Sequence, residues 1–396
     1  MTASEDLAGL SAVLDLMADK VREDEARLGV VFPYVTGPDG QWRTMPASHS
    51  AGYAGAAWSH GNWFCGFWVG LLAASHLHKG DADLLLWAKE RMRLIAERAK
   101  DPNTHDIGFI FWSSAVRLHQ LTGEPHYAAL AVEAADRLRA RLVATTAGAY
   151  ISAWGPHSDE RGRSSSAIDT MANIPLLYWA ARTARDDSFL LAGEAHAQST
   201  ARTFIRADST LYHAVQYDLK SGTQKRGYTF QGYGDESSWS RGTGWAVYGY
   251  AASAAATGKR AYLDLAVKLA EKWLDQLKGA QCPPWDFDDP SPTPGKDSSA
   301  AAIMAAALLD VAALHPEPGE RTRWRTQAKT LLSGLIRSCL ATDGRHRGLL
   351  RHGCYSMPHK DGTDSAVMFG DYYFVEAIMR LVHPGKFAPE FAPLAG

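Results

Sequence analysis

The feature that most narrows what this chain can fold into is an alternation. Two kinds of helical stretch follow one another along its 396 residues, six of each. One kind is amphipathic, with apolar positions at three- and four-residue spacing and a charged face, as in AKERMRLIAERA and AVEAADRLRARL. These stretches fall at about 5–26, 82–99, 126–142, 187–206, 260–278 and 319–340. The other kind is almost wholly apolar or small, as in NIPLLYWAARTA and SSAAAIMAAALLDVAAL. It falls at about 61–79, 107–121, 170–184, 238–257, 297–315 and 366–382. A helix without a polar face has to be covered on every side, so the second kind reads as an inner ring and the first as an outer one. The predicted fold is all-α, an (α/α)6 barrel. Short β pieces are expected in its loops, at GAYISAW (148–154) and TLYHAVQYD (210–218). No Pro/Gly/Ser linker or charge block divides the chain, so a single domain over 1–396 is expected.

Each inner stretch begins just after or within a loop crowded with Gly, Trp, His and Asp: HGNWFCGFW (60–68), HDIGF (105–109), AIDTMAN (167–173), GDESSWSRGTGW (234–245), KDSSAAA (296–302) and TDSAVMFGDYY (363–373). If the inner helices stand with the same ends together, these loops meet at one mouth, where helix N-termini favour an anionic ligand. That mouth is the expected active site. Thirteen Trp and fifteen Tyr supply rings that fill a core or stack on a sugar. A formal charge of −2 and the lack of a Lys/Arg stripe argue against nucleic acid as a partner. With no long apolar run and no basic, apolar leader, no membrane association is expected and the chain reads as cytoplasmic. Cys65, Cys282, Cys339 and Cys354 lack the spacing of a zinc site or a disulfide framework and read as buried thiols. No signal of oligomeric state is present.

Five inner helices have an Asp at or near their start: Asp106, Asp169, Asp235, Asp297 and Asp364. Helix capping accounts for such placement, and for Asp297 and Asp364, followed by Ser and small residues, it is the expected role. Asp106, beside His105, and Asp169, in IDTMAN, have neighbours that a cap does not need. Across a closed ring they would face each other, and two carboxylates in an aromatic-walled cleft compete for ionisation, which leaves one of them an acid. Arg241, between Trp239 and Trp245 on an apolar helix, requires an anion or carbonyls beside it, and a substrate carboxylate would serve. The two Trp residues suit sugar stacking and core packing equally. His213 reads on its own as a structural histidine, and SMPHKDGTDS (356–365) as a solvated loop in which Lys360 and Ser365 are the groups that could meet a sulfated neighbour. No HExxH, GxSxG, P-loop or GxGxxG opens any of these helices, and neither cofactor nor metal is expected.

At these residues the chain resembles the unsaturated glucuronyl hydrolases, glycoside hydrolase family 88, and more distantly the unsaturated rhamnogalacturonyl hydrolases of the same barrel type. The resemblance rests on HDIGF, IDTMxNxPLLYWA (168–180), QGYGDESSWSRGTGWAVYG (231–249), PWDFD (284–288) and DYYFxEAxxRL (371–381), in that order over nearly the whole chain. It implies that Asp169 is the acid/base and Asp106 its partner. It also implies binding or orienting roles for Trp63, His105, Trp154, His213, Gln231, Trp239, Arg241 and Trp245, the carboxylate falling to Arg241, His213 and Gln231. The implied substrate is a small oligosaccharide ending in a 4,5-unsaturated glucuronic acid, released by hydration of its vinyl ether double bond. A sugar epimerase on the same barrel is the alternative from another class.

Overall fold

The structure, a computed structural model, describes residues 3–47, 61–387 and 392–394. It is an (α/α)6 barrel. The outer helices are Ala3–Leu28, Ala82–Ile95 with a 3-10 extension Ala96–Lys100, Pro125–Arg139, Asp187–Thr203, Arg260–Leu277 and Pro318–Ser338. The inner helices are Cys65–Lys79, Ile107–Ser113 continued by Ala115–Thr122, Pro175–Ala184 preceded by the 3-10 turn Ile168–Ala172, Ser240–Thr257, Ser298–Leu314 and Met368–Val382. Each inner helix packs against the next, and Met368–Val382 packs against both Ser298–Leu314 and Cys65–Lys79, which closes the ring.

Composition explains the sorting. Residues 298–312 are all buried, and Asp310 is the only charged side chain among them, whereas Arg260–Leu277 buries one stripe: Tyr262, Leu263, Ala266, Leu269, Ala270, Trp273 and Leu277. Proline at the first or second position starts Pro125–Arg139, Pro175–Ala184 and Pro318–Ser338, where its missing N–H costs no helix hydrogen bond. Two inner stretches are less regular than their apolar pattern suggests. The second breaks at Ser114, whose backbone leaves the helical region (φ −117, ψ −82), and the third is a 3-10 turn until Pro175.

The expected β pieces are present and shorter. Gly148–Ile151 pairs with Leu142–Thr145, and Ala214–Tyr217 lies between Ser165–Ala167 and Gln224–Tyr228 in a three-stranded antiparallel sheet. Two further hairpins join Val31–Thr36 to Trp42–Pro46 and Gly353–Ser356 to Asp361–Ser365. The second corrects the solvated-loop reading of 356–365. That segment is a hairpin, turned at Lys360 and Gly362 with positive φ, and it forms part of the mouth. Among the described residues no helix is long and apolar enough to cross a membrane. All four cysteines are free and buried.

Candidate active site

At the N-terminal ends of the inner helices lies a cavity of about 630 Å³, with Asp106, Asp169 and His105 in its wall. Each of the three is fixed by backbone. His105 precedes the helix Ile107–Ser113, and its N–H and its ring Nδ1–H both donate to the carbonyl of Ala153, at 2.8 and 2.5 Å. A bridge between Thr104 and Trp154 holds the same two segments together. Asp169 leaves the three-stranded sheet, the preceding Ile168 N–H donating to the His213 carbonyl at 2.9 Å. Asn173 ties the two turns: its Nδ2 donates to the Asp169 carbonyl at 3.0 Å and its Oδ1 accepts from the Phe109 N–H at 2.5 Å. Glycine makes that approach possible, because a Cβ on Gly108 would stand 2.5 Å from Asn173, and one on Gly249 would stand 2.2 Å from the Met171 carbonyl.

Asp106 starts its helix without capping it; its carboxylate instead accepts from the Thr104 hydroxyl at 3.0 Å. His105 stands between the two aspartates, Nε2 lying 3.0 Å from Asp169 Oδ1 and 3.4 Å from Asp106 Oδ1. The sequence reading set the carboxylates directly against each other and did not place this ring between them. One ligand atom from each of the three lies within 4.8 Å of the others, close enough to hold a metal ion if His105 gave up its Nε2 proton. Burial opposes charge on His105, but Asp106 and then Asp169 outweigh it and push the imidazole up to about 9. The side chain of Asp169 is 19% exposed and that of Asp106 6%, so Asp169 is the more open to the cavity.

The other expected residues gather here. Trp63, Trp154, Gln231, Trp239, Arg241 and Trp245 all line the cavity. Trp63 stacks on Phe369 (centroids 5.2 Å apart) and lies 5.2 Å from Phe109. Trp245 lies 4.9 Å from Phe109 and 5.2 Å from Tyr373; it is both wall and core. Trp154 meets Phe230 edge-on at 5.0 Å. His213 is not part of the lining. It is buried under Phe230 and Trp239, Nδ1 is bonded to Thr229 Oγ1 at 2.9 Å, and Nε2 has no hydrogen-bond partner. Burial pushes its pKa down to about 3.

Arg241 has beside it both the anion and the carbonyls that a guanidinium on an apolar helix requires: NH1 donates to Asp297 Oδ2 at 2.5 Å and to the Cys354 carbonyl, and NH2 donates to the Tyr355 carbonyl at 2.7 Å, with Trp239 and Phe369 beneath it. Asp297 caps its helix as expected, accepting from the Ser299 N–H at 3.1 Å, and is also this counter-ion. Asp364 does not cap. It sits on a strand at φ +53 with its carboxylate on His352 Nδ1 at 2.6 Å, and Val367 precedes the helix instead. Residues that the sequence reading did not assign complete the wall: Arg43, Phe230, Tyr355, Ser356, His359 and Asp361, together with Lys360. Ser365 is buried on its strand and does not line this cavity.

No family model matches the chain. Individual proteins do. An unsaturated glucuronyl hydrolase of Bacillus sp. (strain GL1) is 34% identical over 326 residues, covering 81% of this chain and 86% of that one. An unsaturated chondroitin disaccharide hydrolase of Streptococcus pyogenes serotype M1 is 28% identical, covering 94% and 90%. Among solved structures, an Asp-to-Asn variant of an unsaturated glucuronyl hydrolase with dGlcA-Glc-Rha-Glc superposes with a TM-score of 0.83 at 29% identity, covering 100% and 99% of the two chains. With the same barrel, and with 34% of the residues aligned over 81% of its length identical to the Bacillus enzyme, this chain belongs to the unsaturated glucuronyl hydrolase family of glycoside hydrolases.

Proposed function

We propose that this enzyme removes a 4,5-unsaturated glucuronic acid from the non-reducing end of a small oligosaccharide, and that Asp169 performs both proton transfers. The double bond left by a polysaccharide lyase lies between C4 and C5 and is conjugated to the C6 carboxylate, with the ring oxygen on C5 making it an enol ether. Asp169 protonates C4, positive charge develops at C5 and the ring oxygen, and water adds at C5 as Asp169 takes its proton. The resulting hemiketal opens and frees the neighbouring sugar. Bond breaking at the anomeric carbon follows from that opening, so the spacing of the two carboxylates carries no stereochemical meaning of the retaining or inverting kind.

The observation that carries this reading is the geometry of the triad: two carboxyl groups stand in the cavity wall within reach of one imidazole nitrogen, 3.0 and 3.4 Å away, an arrangement in which neighbouring carboxyls compete for ionisation and one of them can serve as an acid. Asp169 is the more open of the two, and Asp106 is kept as an acceptor by the Thr104 hydroxyl. Gln231 and the N–H groups that Arg241 does not spend on Asp297 and the two carbonyls would bind the substrate carboxylate and ring oxygens, with His213 backing this wall from beneath Phe230 and Trp239. Trp63, Trp154, Trp239 and Trp245 supply faces and edges for the sugar. Lys360 and Arg43 stand in the same wall, Arg43 paired with Asp361 at 2.7 Å, and these cations suit a sulfated or carboxylated leaving sugar.

The test is a panel of lyase-generated disaccharides, with hydration followed as loss of the enol-ether absorbance. Asp169→Asn should abolish turnover and keep substrate affinity, since shape survives and the proton donor does not. A near-normal rate in that variant would overturn the assignment, and a preference for neutral over sulfated leaving sugars would overturn the role of the cations.

A further inference from the structure

Of the two ring nitrogens of His105, one is committed. Nδ1 faces the Ala153 carbonyl at 2.5 Å, an acceptor with no proton to give, so Nδ1 carries a hydrogen in every state of the ring. Variation is confined to Nε2, which is within reach of both aspartates, 3.0 Å from Asp169 and 3.4 Å from Asp106.

We propose that His105 is the positioning group of the acid–base aspartate: an imidazolium that keeps its Nε2–H between the two carboxyl groups, leaning to Asp106 while Asp169 is protonated and bonded to Asp169, as in this structure, once that proton has passed to the substrate. This rests on reading Asp169 as the acid. The proton count closes. With Asp169 protonated, the triad is neutral. Delivery of the proton to C4 leaves Asp169 a carboxylate facing the positive charge at C5, and His105 then donates to the newly formed anion. When water adds at C5 and gives its proton to Asp169, the Nε2–H returns to Asp106. His105 keeps both of its protons throughout, so it is neither acid nor base. It makes Asp169 a stronger acid by stabilising the anion that remains.

The surroundings support a charged ring. From the same turn it faces Asp106, and from the 3-10 turn Asp169. From the sheet it faces His213 and from the outer helix Asp187–Thr203 His196, both pushed down to about 3 by burial and therefore neutral. Arg141, which feels Asp101 and Asp106, donates to the carbonyls of Ser152 and Gly155 at 2.8 and 3.2 Å and stands on the side of Asp106. Against its own burial, Asp106, Asp169 and the Ala153 carbonyl hold the His105 proton up to about 9.

Two measurements test this. In the unmodified enzyme without substrate, nitrogen NMR of the histidine rings should show His105 with hydrogen on both nitrogens at pH 7, losing one of them near pH 9. In His105→Gln, the plateau rate should fall on the order of a hundredfold and the alkaline limb of kcat should move to higher pH by roughly one to three pH units, because the aspartate pair then holds its shared proton without a cation beside it. A merely structural histidine would lower the rate at every pH and leave the limb in place. A singly protonated ring at pH 7, or an unmoved limb, overturns the proposal and leaves Asp169 as the acid untouched. Activity in Asp169→Asn removes that reading and this proposal with it.

Discussion

Asp297 is where fold and site depend on the same side chain, and replacing it by asparagine separates its two duties. Asn caps a helix about as well as Asp, so the Ser299 N–H, 3.1 Å from Oδ1, keeps an acceptor. What disappears is the negative charge opposite Arg241, in a pair whose side chains are 2% and 0% exposed. Breaking a buried pair from one side costs about 3–5 kcal/mol, since the remaining charge cannot return to water. The Cys354 and Tyr355 carbonyls still receive the guanidinium, which places the expected loss near ~3 kcal/mol. For 396 residues the entropy of unfolding at about 2.1 cal/mol/K per residue is roughly 0.8 kcal/mol/K, so Tm should fall by about 4 °C. Asp297→Ala removes the cap and the acceptor for the Cys354 N–H as well, and should cost about 1–2 kcal/mol more. Calorimetry at fixed scan rate on the three proteins reads both steps. A Tm for Asp297→Asn within a degree of the parent would refute the claim that Asp297 neutralises Arg241, and would return that guanidinium to the substrate.

Two further outcomes follow from the same geometry. Gly108→Ala drives a methyl group to 2.5 Å from Asn173; the turn that carries Asp169 has to move, so kcat should drop at least tenfold with a stability loss of about 1–3 kcal/mol, and an unchanged kcat would show that the two turns are not coupled through Asn173. The pH dependence of stability has a definite sign: His196 and His213, both depressed to about 3 in the folded state, contribute stability that is complete above their unfolded value of about 6.5 and is lost as pH falls toward 3, each at up to about 1.4 kcal/mol per pH unit. Denaturant titrations from pH 7 to 4 should show that decline, and His196→Gln should flatten it; an equally steep curve in the variant would contradict the assignment.

How far the molecule was legible in its sequence depended on the range of the signal. Helix periodicity is local, and all twelve stretches returned within a few residues of their expected bounds, because a segment such as SSAAAIMAAALLDVAAL has no polar face to expose. Capping is nearly as local, and KDSS named Asp297 correctly. TDS at 363–365 carries the same letters and failed, because the hairpin with Gly353–Ser356 holds Asp364 at φ +53 and gives its carboxylate to His352, 12 residues earlier. Most of the site residues that went unassigned share that origin. Arg43 comes from the first hairpin, and Tyr355, Ser356, His359 and Asp361 from the last; nothing in either segment alone announces a cavity. The alternation in SMPHKDGTDS around a KDG turn was the one available hint of a hairpin. The place of His105 between two aspartates was illegible for a related reason: adjacency to Asp106 is in the sequence, but adjacency to Asp169 requires the ring to close.

What closes the ring from below decides what the cavity can accept. Because the inner helices start at the mouth, their later residues lie deeper, and there Phe67, Phe109, Trp245, Phe369 and Tyr373 pack ring against ring across the axis. Further along the same helices, Arg117 pairs with Glu376 at 3.0 Å, Glu376 with Arg380 at 2.8 Å, and Arg380 with Asp310, all with side chains at most 11% exposed. Tyr248 and Tyr372 join this network by hydrogen bonds to Glu376 and Arg117. Buried charges of this kind resist opening, since separating any one pair strands an ion away from water. Among the described residues the axis is therefore blocked twice, by an aromatic layer and then by a charged one, and the cavity does not run on down the barrel. A chain cannot thread along the axis past Asp169, so a floor closed in this way suits a substrate that enters by its end, and the unsaturated uronate left by a lyase is such an end.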